Sequence, residues 1–248
     1  MLPRGKSRGL FFITLLFSLQ SFASVILIPM DDEGQKNHLK AYGITYWVLA
    51  KQQKVQWLLN YRGGSFMLPD GVSFEVLSDG QAAQILEDIS SPSQNQDAVI
   101  LEKAPKIAVY SPKGNQPWDD AVTMVLTYAE IPYTTIYDTE VLGDKLALYD
   151  WLHLHHEDFT GQYGRFYGHY RAAPWYIEDK ANAEALAQSL GYSKVSEEKL
   201  AVALKIRNYV IGGGFMFAMC SATDSFDIAL AAEKVDICEP MFDGDPSD

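Results

Sequence analysis

The pattern of apolar and polar positions divides the chain into short strand-like runs and longer helical repeats. Apolar runs that end at glycine or polar residues predict strands at residues 25–28, 54–59, 74–77, 106–110, 134–137, 149–155 and 215–219. Apolar residues at helical spacing predict helices at residues 38–50, 81–89, 117–130, 196–210 and 225–233. Because strands and helices alternate from residue 106 onward, we expect an α/β fold: a mostly parallel sheet with helices on both faces.

The first 23 residues have the pattern of a signal peptide. Three basic residues precede an apolar stretch at residues 10–19, which is shorter than the about 20 residues that a membrane-spanning helix needs. Small residues at the end of this segment predict cleavage before Ser24, and an uncleaved anchor is the alternative. No later apolar run is long enough for a membrane span, so we expect an exported protein, periplasmic or extracellular, that is soluble after cleavage.

Composition shifts along the chain predict its domain organisation. Residues 24–91 form an N-terminal α/β segment that we expect to belong to the same domain as the rest. A polar, proline-containing stretch predicts a linker at residues 92–104, followed by an α/β core at residues 105–238. Residues 239–248 form an acidic tail without core residues after Phe242, and we expect this tail to be a truncated end.

The charge of the chain restricts the class of partner. The chain has 20 Lys and Arg residues against 32 Asp and Glu residues, which gives a formal net charge of −12. Binding to nucleic acid depends mainly on cationic side chains that neutralise phosphates, so we expect no nucleic-acid partner. A small molecule, a peptide or a glycan is the expected type of substrate or ligand, and no cofactor is expected.

The two cysteines leave a disulfide open. An even number of cysteines in an oxidising compartment is compatible with a bridge between Cys220 and Cys238. A chain of this size has enough core to fold without a bridge. Both states therefore remain alternatives at this point.

Cys220 is the strongest candidate for a catalytic residue. It follows a short apolar strand and precedes a polar turn and a helix, an arrangement that presents a nucleophile at the edge of a sheet. The N–H groups and dipole of the following helix favour a thiolate and offer an oxyanion site. We therefore take Ser221 as a candidate oxyanion-binding residue, with Gly214, Thr223 and Asp224 as further binding candidates. The alternative is a buried, inert cysteine.

A second candidate is the run from His153 to Asp158. Strand alternation places His153 and His155 on one face, and the following residues emerge where the strand ends. In open α/β sheets, ligands bind outside the carboxyl ends of the strands. We take His155, His156 and Glu157 as catalytic candidates, with an imidazole as the base for Cys220, and Asp158 as a binding candidate. A divalent metal on His153, His155 and His156, or a set of core histidines, are the alternatives.

Long strings of the sequence resemble an exported family of Bacteroidetes whose members often carry the label asparagine synthetase B. The resemblance covers nearly the whole mature chain and is carried by residues 28–32, 61–64, 106–120, 151–161 and 213–224. From Lys106 onward the chain is similar to class I glutamine amidotransferase-like and ThuA-like domains, in which a glycine-rich turn precedes the strand that delivers the nucleophile. The resemblance implies a flavodoxin-like fold, Cys220 at the nucleophile position and His156 to Asp158 near the oxyanion site.

The chain departs from the amidotransferase pattern at two points. Its elbow, residues 218–222, lacks the glycines of the family's Gly-x-Cys-x-Gly motif, and no histidine follows Cys220. The catalytic base must therefore come from the upstream histidines. Three hypotheses follow: a Cys220-dependent amide or ester hydrolase, a non-catalytic glycan- or peptide-binding domain, or a metal-dependent site on residues 153–158.

Overall fold

A computed structural model describes residues 25–69, 75–91, 97–112 and 121–248, and every structural statement below concerns these residues. The signal peptide predicted at residues 1–23 lies outside them, as does the start of the helix predicted at residues 117–130. Nine strands and nine α-helices are present in these ranges: β1 (Val25–Ile28), α1 (His38–Ala50), β2 (Val55–Leu59), β3 (Phe66–Pro69), β4 (Glu75–Leu77), α2 (Asp79–Ile89), β5 (Asp97–Leu101), β6 (Ile107–Tyr110), α3 (Ala121–Ala129), β7 (Tyr133–Ile136), α4 (Asp138–Leu142), β8 (Trp151–Leu154), α5 (Gly164–Tyr170), α6 (Pro174–Ser189), α7 (Val195–Ile211), β9 (Phe215–Ala218), α8 (Ser221–Ala231) and α9 (Pro240–Asp243).

The N-terminal strands form an antiparallel sheet of their own, in the order β4-β1-β3-β2-β5. The prediction of one mostly parallel sheet is therefore wrong for this part of the chain. The reason is the turn at residues 60–65, which joins β2 to β3 and is too short for the crossover that parallel strands need. Helix α1 packs on one face of this sheet and α2 on the other.

Strand β5 lies inside the segment predicted as a linker. Residues 97–101 pair antiparallel with β2 along its whole length, from Asp97 opposite Leu59 to Leu101 opposite Val55. Polar residues before and after this short apolar run hide its strand pattern in the sequence. The predicted linker at residues 92–104 therefore contains an edge strand of the first sheet.

The second sheet is parallel, as predicted for the C-terminal part, with the order β7-β6-β8-β9. Apolar residues on one face of β6, Ile107 and Val109, pack against α3. Those on the other face, Ala108 and Tyr110, belong to the largest core cluster with α4, α7 and α8. A mixed α/β fold containing a parallel sheet with helices on both faces is thus confirmed.

The two sheets are joined through α1 and α3. Gly43 lies against the end of α3, where a Cβ atom would overlap the carbonyl oxygen of Ala129. The indole N–H of Trp47 donates to the Glu130 carbonyl (2.8 Å), and the hydroxyl of Tyr46 donates to the Pro105 carbonyl (3.1 Å). These contacts link α1 of the N-terminal segment to α3 and to the start of the second sheet.

Two N-terminal strings that carry the family resemblance contact each other. The Arg62 side chain donates to both carboxylate oxygens of Asp31 (2.6 and 3.3 Å), and the Met30 N–H donates to the Arg62 carbonyl (3.0 Å). Gly63 has φ +78°, and a Cβ atom there would overlap the Met30 carbonyl. These residues hold the end of β1 against the β2–β3 turn.

The acidic tail packs against helices instead of extending away from them. Phe242 is buried, and its ring contacts Tyr167 of α5 with a centroid distance of 5.2 Å. The Lys180 ammonium of α6 donates to the Phe242 carbonyl (2.7 Å).

Among the described residues, no helix combines the length and the apolar composition that a membrane span requires.

Candidate functional site

The order of the parallel sheet creates a point of divergence at the carboxyl ends of its strands. Strand β6 lies between β7 and β8, so the chain leaves β6 toward one neighbour and returns later on its other side. Ligands of open α/β sheets bind in the crevice that such a reversal leaves at the carboxyl ends. The chain leaves β8 at His155, and the adjacent β9 ends two residues before Cys220.

Cys220 adopts a strained backbone conformation between β9 and α8. Its φ of 55° and ψ of −142° lie outside the regions that non-glycine residues normally occupy, and such a conformation costs on the order of 1–3 kcal/mol. Helix α8 begins at Ser221, four residues earlier than predicted, because the whole reversal of direction takes place at Cys220. The exposed thiol side chain therefore lies at a sharp strand-to-helix turn.

Three hydrogen bonds attach the histidine loop to α8. The N–H of Ala222 donates to the His155 carbonyl (3.4 Å), and the hydroxyl of Ser221 donates to the His156 carbonyl (3.0 Å). The hydroxyl of Ser225, which sequence analysis did not identify, donates to the Glu157 carbonyl (2.8 Å). Three consecutive residues of the loop are thus fixed against α8, the helix that follows Cys220.

The histidines differ in their surroundings. His153 is buried and its ring stacks on Phe217 at a centroid distance of 5.7 Å, so it belongs to the apolar face of the sheet. The rings of His155 and His156 lie 4.2 Å apart and are partly exposed. Within the described ranges, no hydrogen bond joins the Cys220 sulfur to an imidazole.

The two carboxylates of the cluster stabilise their own loop. Glu157 Oε2 accepts from the His155 N–H (2.9 Å). Asp158 accepts from the N–H and hydroxyl of Thr160 (2.9 and 2.6 Å) and from the Tyr163 N–H (3.4 Å). Both side chains therefore hold the conformation of the loop, in addition to any role toward a ligand.

The structure places three of the remaining binding candidates at the start of α8 and the fourth, Gly214, away from it. Ser221 is the first residue of α8, where N–H groups have no partner within the helix. The backbone N–H of Thr223 donates to the Cys220 carbonyl (3.2 Å). Asp224 is exposed in the first turn of α8. Gly214 precedes β9. It comes six residues before Cys220, which corresponds to about 20 Å along an extended strand at about 3.3 Å per residue. It packs on the ring of Tyr209, so the structure does not bring it to the site.

The histidine cluster does not form a set of metal ligands in the part of the chain described. There, the one group of three side chains close enough to share an ion is Asp236, Asp243 and Asp245. The Lys194 ammonium already lies 3.2, 3.2 and 2.7 Å from these three carboxylates. This group is therefore an internal ion-pair cluster that holds the tail to the start of α7.

Both cysteines are free thiols, so the disulfide alternative is not realised. Cys220 is exposed, whereas Cys238 is buried and its sulfur lies 3.7 Å from the Gly161 carbonyl oxygen. Burial, together with the carboxylates of Asp243 and Asp236, raises the pKa of the Cys238 thiol to about 12. The two thiols differ strongly in environment, which makes Cys238 an internal reference for the reactivity of Cys220.

A buried ionic cluster lies beneath α7 and was not predicted. Lys199 is 6% exposed, and its ammonium contacts Asp138 (2.6 Å), the Tyr110 hydroxyl (3.1 Å) and the Tyr137 hydroxyl (3.1 Å). The Tyr110 hydroxyl also donates to Asp138. Burial opposes the charge of Lys199, but Tyr137, Asp138 and Glu198 outweigh it and raise the pKa of Lys199. The cluster ties β6, the end of β7 and α7 together.

Glu198 makes the stability of the fold dependent on pH. Burial raises its pKa from 4.5 to about 7, against the opposing effect of Lys199. The folded state therefore keeps this proton up to about pH 7, whereas the unfolded chain loses it near pH 4.5. Raising the pH through this window thus favours the unfolded state.

Urea unfolding at several pH values between 5 and 8 measures this effect. Glu198→Gln should remove the loss of stability that the wild type shows with rising pH, whereas Glu87→Gln, at an exposed position of α2, should retain it. Equal pH dependence in the wild type and in Glu198→Gln would contradict the assignment.

Known proteins provide no parallel for this site. No family model matches the chain, and no curated protein or solved structure is significantly similar to it. The resemblance described from the sequence therefore remains an expectation.

Proposed function

We propose that this protein is a cysteine-dependent hydrolase of amides or esters, with Cys220 as the nucleophile. The observation that carries the proposal is the backbone of Cys220, whose positive φ lies at the turn from β9 into α8. Strand-to-helix turns of this kind present the nucleophile of α/β hydrolases, because the strained turn directs the side chain away from the sheet. Strain that the surrounding structure maintains is typical of functional positions.

The proposed reaction has two steps. In the first, the sulfur attacks the carbonyl carbon, a C–S bond forms, and His155 or His156 takes the thiol proton. The Ser221 N–H stabilises the oxyanion, and the imidazole then gives the proton to the leaving amine or alcohol as the C–N or C–O bond breaks. In the second, water attacks the thioester carbonyl and the imidazole takes a proton from it. The C–S bond then breaks, the imidazole returns the proton to the sulfur, and the carboxylic acid and the free thiol are released.

The attachment of the histidine loop to α8 supports this assignment of the base. The loop carbonyls of His155 and His156 accept hydrogen bonds from Ala222 and Ser221, the residues that follow the nucleophile. Nucleophile and candidate bases are thus held by the same helix start. An apo enzyme can have a long or absent bond between nucleophile and base that shortens in the substrate complex.

The finer fold assignment belongs to the same proposal. A parallel sheet whose order reverses beside β6, with helices on both faces, is compatible with a flavodoxin-like, class I glutamine amidotransferase-like domain. The antiparallel sheet of residues 25–101 is an addition to that plan. We further propose that the protein is exported, on the basis of its first 23 residues.

A non-catalytic binding domain is the second candidate. It is favoured by the lack of a hydrogen bond between the Cys220 sulfur and an imidazole in the described ranges, and by an elbow flanked by Ala218 and Ala222, not by glycines. On that account the strained turn survives only as a structural feature, and the thiol has ordinary reactivity.

Alkylation with iodoacetamide, followed by peptide mass spectrometry, separates the two candidates. If Cys220 is an activated nucleophile, its labelling rate at neutral pH should exceed that of the same cysteine in the urea-unfolded chain by at least about tenfold. Cys238 should remain unlabelled until the chain unfolds, which confirms that the fold is intact. Labelling of Cys220 at or below its rate in the unfolded chain would overturn the hydrolase proposal and favour the binding domain.

A further inference from the structure

Strand β9 is an edge strand whose outer side has no partner strand among the described residues. The N–H groups of Phe215 and Met219 donate to carbonyls of the β8 side, Asp150 (3.0 Å) and Leu154 (3.1 Å). Because the direction of backbone groups alternates along a strand, those of Met216 and Ala218 point outward. Two N–H and two C=O groups are therefore available to pair with another strand.

The open edge lacks two features that normally prevent strand addition. Edge strands are usually protected by charged residues or proline, but residues 215–219 contain neither. Phe215 and Phe217 share one face of β9, and Met219 follows the strand; their exposed fractions are 57%, 48% and 39%. The edge therefore combines unpaired backbone groups with an accessible apolar side-chain row.

The segments that build the site are acidic. Residues 155–163 and 212–232 contain Glu157, Asp158, Asp224 and Asp227 but no lysine or arginine. Asp224 and Asp227 are exposed on α8, next to Cys220 in sequence. A partner that approaches this edge is favoured if it carries positive charge.

We propose that the edge of β9 binds an extended peptide, with alternating apolar and basic residues, as an added strand. This inference rests on the proposed function and names its substrate class as peptide amides. An added strand lies about 4.8 Å from its neighbour and continues in the same direction, so a peptide on β9 passes the turn at Cys220. Attack by the thiol would break the peptide C–N bond; the amine leaves with the imidazole proton, and water then releases the new carboxylic acid.

Fluorescence polarisation with the Cys220→Ala protein measures binding without turnover. The probe is a fluorescein-labelled peptide, Lys-Val-Lys-Val-Lys-Ala-amide, compared with two matched peptides. One is N-methylated at every internal residue, which removes the N–H donors, and the other has glutamate in place of lysine. We expect the Kd of the unmodified peptide to be at least tenfold lower than that of either control. Equal binding of the N-methylated or the acidic peptide would overturn the proposal.

Charge reversal on the protein provides the second comparison. Asp224→Lys should weaken binding of the basic peptide at least tenfold, and Glu87→Lys on α2 should leave it unchanged. An unaffected Kd in Asp224→Lys would contradict the charge argument. A concentration-dependent dimer that does not bind the peptide would assign the edge to a second copy of the chain, and would also overturn the proposal.

The inference and the proposed function can fail separately. Hydrolysis of p-nitrophenyl acetate by the wild type tests the nucleophile without any need for the edge strand. Ester hydrolysis without peptide binding would support the hydrolase proposal and overturn the proposal that β9 binds a peptide. Peptide binding without ester hydrolysis would remove the hydrolase proposal and leave β9 as a peptide-binding edge.

Discussion

Cys220→Ala should reduce the hydrolysis of p-nitrophenyl acetate by at least about 1,000-fold, because loss of the nucleophile removes the covalent route and leaves binding and oxyanion stabilisation alone. The folded state should tolerate the change. The side chain is exposed and contributes nothing to the core, and alanine is compatible with the flanking strand and helix. The measurement is kcat/KM from initial rates, with circular dichroism to confirm the fold.

Cys238→Ala is the matched control for this variant. It removes the other thiol of the chain, which is buried and lies near the Gly161 carbonyl. We expect its kcat/KM to stay within about twofold of the wild type even if its stability falls. His155→Ala and His156→Ala identify the base, since loss of a general base typically costs about 100- to 10,000-fold. Equal activity of Cys220→Ala and the wild type would exclude Cys220 as the nucleophile.

Lys199→Met should destabilise the protein by about 3–5 kcal/mol, because it leaves the Asp138 carboxylate buried without its cation. Asp138 is 1% exposed, so water cannot replace the ammonium that lies 2.6 Å from it. The two tyrosine hydroxyls that contact Lys199 lose a partner at the same time. The measurement is the free energy of unfolding from urea denaturation at pH 7.

Lys40→Met is a control in which the ion pair has the same N–O distance as in the Lys199 cluster but is exposed to solvent. Lys40 and Glu130 also lie 2.6 Å apart, but their side chains are 37% and 72% exposed. Exposed pairs contribute about 0–1 kcal/mol, because water solvates the remaining charge. We expect a small loss in the free energy of unfolding for Lys40→Met and a large loss for Lys199→Met. Similar losses for the two variants would show that the buried cluster does not stabilise the fold as proposed.

Local features of the fold were predictable from the sequence. Helix α1 matches its predicted bounds, and β9 followed by Cys220 and a helix was identified from the apolar run and the polar turn. Both depend on residues that are close in sequence. The parallel sheet was also predicted, since a strand followed by a helix and a second strand has few alternatives.

Features that depend on distant residues were missed. The antiparallel sheet requires β2 to pair with both β3 and β5, and no local pattern specifies those partners. Strand β3 is only four residues long, and its apolar run ends at a proline. Helix α6 was not predicted, because its apolar residues do not follow one face.

The sequence drew attention to several residues of the candidate site but not to the residues that support them. Cysteine and histidine attract notice by their chemistry, and both loops lie at neighbouring strand ends. Ser225 looks like an ordinary helix residue until its hydrogen bond to the Glu157 carbonyl is seen. Lys199, in a helix rich in charged residues, has the pattern of a solvated face, and only the packing of α7 against β6 and β7 reveals its burial.

In the proposed mechanism, Cys220 forms a covalent bond with the acyl group of the substrate. The most direct test is to quench the wild-type reaction with p-nitrophenyl acetate in acid and to analyse the digested peptides by mass spectrometry. We expect an acetyl group, bound as a thioester, on the peptide that contains Cys220 and none on the peptide that contains Cys238. Turnover without acetylation of Cys220, or acetylation of other residues at equal rates, would contradict it.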